Sequence, residues 1–268
     1  MTPNVRRRAL LVGAVGAVGA AATALAGCAL IPRPTVVPMQ IIRDTATCAA
    51  PVDTLVVFLP GAYSLPKEFV DEGMLRALRT RGIAADAWIV DAHIGYYEER
   101  TIIDRLQADV IEPARAHGYR RIWLVGISVG GFGAMIHARA HPGAVDGIVV
   151  LAPYLGQRSV VDEVRQAGGL RAWKAPEGEL PLDQMERTLW RWLQGAAERG
   201  AERPPLYLGY GRSDRFVDAH ELLAAALPPS HVYTVPGGHD WAPWRMLWNQ
   251  MLEALPLPLP RDPSCMHP

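Results

Sequence analysis

Apolar residues along this chain fall into short unbroken runs, separated by longer stretches in which they return every three or four positions. The runs cover residues 55–59, 87–91, 122–126, 148–151, 206–209 and 232–235. Each is too short for a helix and partly β-branched, which predicts strands buried on both faces of a sheet. Helical spacing fills the gaps at 68–80, 101–117, 129–139, 219–227 and 241–255. A further edge strand is expected around 36–42, in a segment rich in proline and small residues. Strand and helix in regular alternation predict an α/β fold, with a mostly parallel, doubly wound sheet and helices on both faces. Ligands of such sheets bind beyond the carboxyl ends of the strands. The one long insertion, about 155–203, carries Trp173, Trp190 and Trp192. It looks helical over 182–198, either as a short cap or as the helix joining two strands. Trp190 and Trp192 cannot both face one side of that helix. No internal repeat is visible.

Three strand exits carry chemistry. Gly126-Ile127-Ser128-Val129-Gly130 fits Gly-x-Ser-x-Gly, a sharp strand-to-helix turn that holds its serine in a strained backbone conformation. The last strand runs into Gly237-Gly238-His239-Asp240-Trp241, presenting an imidazole able to take the Ser128 proton and return it. Between them, the strand at 206–209 exits through Gly211-Arg212-Ser213-Asp214, a carboxylate suited to fix the tautomer of His239. Asp218 and Asp240 are rival carboxylates, read as caps of helices starting near Ala219 and Trp241. His93, His117, His137, His141, His220 and His231 read as surface residues. A developing oxyanion needs two backbone N–H donors. Val129, directly after the serine, is one candidate and Ala62, in Pro60-Gly61-Ala62-Tyr63, the other. Tyr63 contributes a hydroxyl or lines the pocket; Tyr154 and Trp241 are further candidates for touching substrate.

These motifs resemble the α/β-hydrolase superfamily over roughly residues 51–255. The elbow around Ser128, Gly211-x-x-Asp214-x-x-Val217 and Gly237-Gly238-His239-Asp240-Trp241 carry the resemblance, in that superfamily's chain order of Ser, Asp, His. Ser128-Val129-Gly130-Gly131-Phe132-Gly133-Ala134 and the Gly-Gly-His-Asp-Trp ending look most like the esterase branch that includes S-formylglutathione, feruloyl and enterochelin-type esterases. The resemblance implies a Ser128–His239–Asp214 triad, a covalent acyl-enzyme and a small-molecule ester substrate. Many relatives have His-Gly where this chain has Pro60-Gly61, which bears on the second oxyanion donor. The insertion is short for a lid over a long lipid chain, so small or medium acyl groups are expected. The same triad would also serve a thioesterase, amidase or acyltransferase, and a non-catalytic lipoprotein binding module is the alternative from another class.

The N-terminus reads as an export signal. Arg6, Arg7 and Arg8 precede a weakly apolar Ala/Gly/Val/Leu run at 9–26. It ends Leu25-Ala26-Gly27-Cys28, which resembles the bacterial lipobox. That resemblance implies a signal peptide at 1–27, acylation of Cys28 and a lipidated tether at 28–50. Arg7-Arg8 partly fits a twin-arginine signal without the preceding Ser or Thr and the following Lys, so both export routes stay open. A spanning helix is the alternative; the glycines and the small-residue end of the run favour cleavage. Ala29 is not a retention signal of the aspartate type, so a periplasm-facing site, with the outer membrane preferred, is expected. Residues 256–268 read as a proline-rich tail. Cys48 and Cys265 remain, able to pair in an oxidising compartment.

Composition narrows the classes. A chain of 268 residues, 50% hydrophobic, can bury a single-domain core over residues 51–255. Its 27 basic and 27 acidic residues cancel, leaving no electrostatic footprint for nucleic acid. No Cys/His spacing suggests zinc and no dinucleotide or phosphate-binding loop is present, so neither metal nor cofactor is expected. No obligate protein partner is evident.

Overall fold

A computed structural model describes residues 33–48, 50–199 and 204–259. Thr35–Pro268 form one compact unit; of the other, Met1–Pro34, only Arg33 and Pro34 are described. Seven strands form one sheet: β1 (Ile41–Asp44), β2 (Thr54–Leu59), β3 (Asp86–Val90), β4 (Arg121–Ile127), β5 (Gly147–Leu151), β6 (Leu206–Gly211) and β7 (Val232–Val235). Their spatial order is β1-β3-β2-β4-β5-β6-β7. All neighbours are parallel except β1, which runs antiparallel to β3 with Ile41 opposite Val90.

The six parallel strands lie where the apolar runs predict them. β2 through β5 are buried along almost their whole length because helices cover both faces. Alternate residues of β2 separate the two halves of the core. Leu55, Val57 and Leu59 join one cluster, with Leu106, Met135, Val164 and Leu189. Val56 and Phe58 join the other, with Phe69, Leu78, Trp244 and Trp248. The strand order reverses on either side of β2, so β2 and β4 diverge into different loops at their carboxyl ends and leave a crevice there.

The edge strand starts later than the pattern at 36–42 suggests. Side chains take the backbone groups that a strand would need: Val36 N–H donates to Tyr96 Oη at 3.0 Å, and Met39 N–H to Asp109 Oδ2 at 3.0 Å. The helix expected over 68–80 is two, α1 (Pro66–Asp71) and α2 (Met74–Thr80). Gly73 divides them with φ of 77°, a left-handed turn that no helix interior accommodates. A short helix absent from the sequence reading, α3 (Ile94–Glu98), is capped by His93, whose Nδ1 accepts from Gly95 N–H at 3.2 Å. The stretch expected at 101–117 is α4 (Ile102–Leu106), a π turn over Gln107–Ile111, and α5 (Glu112–His117). Pro113 has no N–H to give to the preceding turn, and the widened turn absorbs the missing bond.

After β4 comes α6 (Val129–Ala140), and the insertion contains α7 (Arg158–Gln166) and α8 (Met185–Arg199). Trp190 is fully buried and Trp192 half-buried, as their spacing requires. Helix α9 (Val217–Ala224) starts earlier than expected, and α10 (Trp241–Met251) follows β7. The chain stays on the body past Leu255: Ala84 N–H donates to Pro258 O at 2.9 Å. Cys48 is half of a disulfide; Cys28, Cys265 and the apolar run at 9–26 lie outside the described residues.

Candidate active site

Strand β4 delivers Ser128 to the crevice. The residue has φ 52° and ψ −117°, a strained conformation for any side chain with a Cβ, as the pentapeptide predicts. Three backbone bonds to its carbonyl hold it there. The N–H groups of Gly131, Phe132 and Tyr154 donate at 3.0, 3.2 and 2.9 Å, while Ser128 N–H donates to Leu151 O at 3.0 Å. Immediately after the serine, Val129 opens α6, whose first amides have no partner within the helix.

The loop leaving β2 lies against the serine. A Cβ placed on Gly61 would sit 3.6 Å from Ser128 Cβ and 3.5 Å from Ser64 Oγ. The loop that carries Ala62 therefore passes close to Ser128 at Gly61, and Ser64, which sequence reasoning missed, lies in the same loop. Tyr63 points outward at 77% exposure. The close fit of this loop to α6 depends on Gly130, where a Cβ would fall 2.2 Å from Leu59 O.

Loops from β6 and β7 bring the other two residues together. Gly211 lets the two backbones touch, since a Cβ there would fall 2.4 Å from Gly237 O. Ser213 N–H then donates to Gly237 O at 2.9 Å and Arg212 N–H to Val235 O at 2.9 Å. This pairing sets Asp214 Oδ2 2.8 Å from His239 Nδ1. The second carboxylate oxygen, Oδ1, accepts from Phe216 N–H at 2.8 Å. Burial works against ionising Asp214, but the hydrogen bonds from His239 and Phe216 N–H, with the nearby imidazoles, outweigh it and hold the carboxyl below its ordinary value. An ionised Asp214 accepts, so Nδ1 donates and Nε2 is left as the ring's proton acceptor. Between Ser128 and His239 the structure has no hydrogen bond, a contact that often tightens only when substrate is bound.

Aromatic rings frame the imidazole. Phe216 and Trp244 each meet it edge-on with centroids 5.2 Å away, at 87° and 89°. Neither was foreseen from the sequence. Trp241, proposed to touch substrate, donates from Nε1 to Glu68 Oε2 at 3.1 Å and packs on Phe69 and Trp244, one ring removed from His239. Tyr154 meets Phe132 and Phe216 edge to face, and its hydroxyl donates a hydrogen bond to Glu186. Glu186 also accepts from Gln157 N–H at 2.9 Å, so one carboxylate from α8 fixes the loop that follows β5.

The rival carboxylates separate cleanly. Asp240 caps α10, accepting from Ala242 N–H at 3.0 Å, as expected. Asp218 does not cap: α9 begins one residue before it, and it pairs with Arg165 at 3.0 Å instead.

The histidines need correction. His93, His137 and His220 are buried, not surface residues; His117 is exposed, and His141 and His231 are half-buried. His137 Nε2 faces Gln107 Oε1 at 3.1 Å and His220 Nε2 faces Pro153 O at 2.9 Å. Burial pulls both down to about 4, against 6.5 in the unfolded chain. Between those values the unfolded chain binds protons that the native state refuses, so stability is complete above pH 6.5 and falls as pH drops toward 4. The loss reaches about 3 kcal/mol per histidine. Urea midpoints measured across this window are expected to fall more steeply for the native chain than for a His137→Gln, His220→Gln double variant. Parallel curves would mean that these two rings do not set the acid limit.

Among the described residues no group of three His, Cys, Asp or Glu side chains is placed to hold a metal ion. Comparison with known proteins fits this geometry. The chain matches the family model described as "Putative esterase" over residues 95–255. No curated protein matches its sequence. Among solved structures it is similar to the S-formylglutathione hydrolase FrmB of Staphylococcus aureus, with a TM-score of 0.53, 15% identity, and coverage of 84% of this chain and 98% of that one. It is also similar to Est1E of Butyrivibrio proteoclasticus bound to ferulic acid, with a TM-score of 0.54, 14% identity, and coverage of 81% and 94%. At such identities the likeness to solved structures speaks for the α/β-hydrolase fold; the family match speaks for more. The chain belongs to the Putative esterase family and is a carboxylesterase-like serine hydrolase acting on ester bonds.

Proposed function

We propose that this protein is an exported, lipid-anchored carboxylesterase that cleaves esters of small or medium acyl groups through Ser128, His239 and Asp214. The observation that supports it best is the 2.8 Å bond from His239 Nδ1 to Asp214 Oδ2, which leaves Nε2 as a base in the same crevice as the strained Ser128. In the reaction, His239 Nε2 takes the proton of Ser128 Oγ as that oxygen attacks the ester carbonyl. Val129 and Ala62 N–H groups stabilise the oxyanion of the tetrahedral intermediate. Its collapse breaks the ester bond, and the leaving alcohol oxygen takes the proton from His239. Water then adds to the acyl carbonyl as the same ring takes its proton, and as that intermediate collapses to release the acid, Ser128 Oγ takes the proton back from His239. Asp214 stays ionised throughout and stabilises the imidazolium.

Asp214→Asn is expected to lower kcat about 10⁴-fold by favouring the wrong tautomer. Asp240→Asn should leave kcat within a factor of two or so, because asparagine caps a helix as well as aspartate does. Turnover of 4-nitrophenyl butyrate measures both, and the reverse pattern would reassign the acid.

Location follows from Cys28. Acylation there, with the signal peptide at 1–27 removed, would hold the catalytic body at the periplasmic face of the outer membrane, on the tether at 28–50. Two or more acyl chains suffice for stable attachment where one does not. Cys28→Ser is expected to move the protein from the membrane to the soluble fraction of the envelope, and retention in the membrane would contradict the anchor.

A further inference from the structure

A cavity of about 460 Å³ opens beside the site on the side of Phe216. Two of its walls are residues that touch Ser128 and His239. Tyr154, whose N–H holds the Ser128 carbonyl, forms one, and Phe216, which meets the His239 ring edge-on, forms the other. Leu155, Val161 and Ala219 complete an apolar lining. The wall is fixed rather than loose, because Glu186 binds both the Tyr154 hydroxyl and Gln157 N–H. Its volume lies within the range, about 300 to 1,000 Å³, that encloses small organic ligands.

The charges at its rim are unequal. Asp162 and Asp218 both line the cavity, and both are already bound by Arg165; Arg158 adds a longer contact to Asp162 at 3.9 Å. Arg215, also at the rim, has no carboxylate partner among the described residues. Its guanidinium lies over the Phe216 ring at 4.9 Å from the centroid, a stacking that holds the charge at the mouth of the cavity without neutralising it. A planar guanidinium with unused donors beside an apolar pocket suits a carboxylate carried at the end of a carbon chain or ring.

We propose that one arm of the natural ester is an apolar segment ending in a carboxylate, its body against Tyr154, Val161 and Phe216 and its charge on Arg215. This rests on the esterase reading and adds to it the substrate's charge.

The test compares matched esters with purified full-length protein. The acyl arm is probed with mono-4-nitrophenyl glutarate against 4-nitrophenyl pentanoate. The alcohol arm is probed with 4-acetoxybenzoate against 4-acetoxybenzamide. In one of the two series kcat/KM is expected to favour the anion by about fivefold, the worth of a partly exposed ion pair. That ratio should shrink in 1 M salt, which needs no variant to measure. Arg215→Gln should bring it to about one, and Arg215→Glu should invert it. Hydrolysis without anion preference in either series, or a preference unchanged in Arg215→Gln, overturns the proposal and leaves the esterase standing. Failure to hydrolyse any of the four removes the esterase reading and this inference with it.

Discussion

Ser128→Ala is expected to lower kcat for 4-nitrophenyl butyrate by about six orders of magnitude, to a rate set by the remaining site alone. The size follows from the step that is lost. Without Oγ there is no acyl-enzyme, so His239 and Asp214 have no nucleophile to activate and their contributions vanish with it. A residual acceleration of about 10³ over water is expected from the oxyanion donors and binding. Folding should be preserved. Alanine keeps the Cβ, and the three bonds that hold residue 128 are made by its backbone carbonyl. Unchanged urea midpoints beside lost turnover would assign the loss to chemistry; a variant within tenfold of the native rate would mean that another group attacks the ester.

Gly130→Ala is expected to damage both folding and activity while touching no catalytic side chain. The added methyl would fall 2.2 Å from Leu59 O and 2.6 Å from Leu59 C and Pro60 O, all of them backbone atoms that cannot rotate away. Relief requires α6 to withdraw from the end of β2, at a cost of about 3 kcal/mol or more. The same withdrawal parts Ser128 and Val129, which ride on α6, from Ala62 in the loop after β2. A displacement near 1 Å at a reacting centre lowers rates by about 10²-fold. Gly238→Ala makes the contrast: a Cβ there meets nothing nearer than Asp240 Oδ2 at 3.6 Å, so its stability should change by less than about 1 kcal/mol. Equal urea midpoints for the two variants would show that the packing of α6 on β2 is not what Gly130 is for.

The sheet was legible because parallel strands covered on both faces must be apolar throughout, so Leu55–Leu59 or Ile148–Leu151 cannot be mistaken for surface. The helices were less so. Helix α7 buries only Val160, Val161 and Val164 in a polar stretch and has no capping side chain, so nothing marks its start. Helix α3 begins at a histidine cap, a residue type that sequence rules do not place there. The capping role expected of Asp218 failed because the Asp214 carboxylate already takes Phe216 N–H at the turn, which lets the helix begin at Val217. His137 and His220 were read as surface because the imidazole itself is polar, although His137 sits in a helix buried from Val129 to Ala138 and His220 between the buried Ala219 and Leu223.

For the site, the glycines that let loops approach one another also flank the residues that carry the chemistry, which is why Ser128, Asp214 and His239 stood out. What surrounds them did not. Phe216 lies two residues from Asp214 and reads as ordinary core. Glu186 reaches Tyr154 from 32 residues away in the chain. Trp244, rather than Trp241, meets the imidazole, because α10 turns that face toward β7. Such neighbours depend on how separate elements dock, and no local pattern encodes it.

The account centres on Ser128 as the attacking group. Peptide mass spectrometry after brief exposure of the purified protein to a fluorophosphonate measures that most directly. A single adduct on the peptide carrying Ser128, lost in Asp214→Asn at short times, is the predicted result. An adduct on Ser64, the neighbouring hydroxyl, or none on any serine while ester turnover continues, would contradict it.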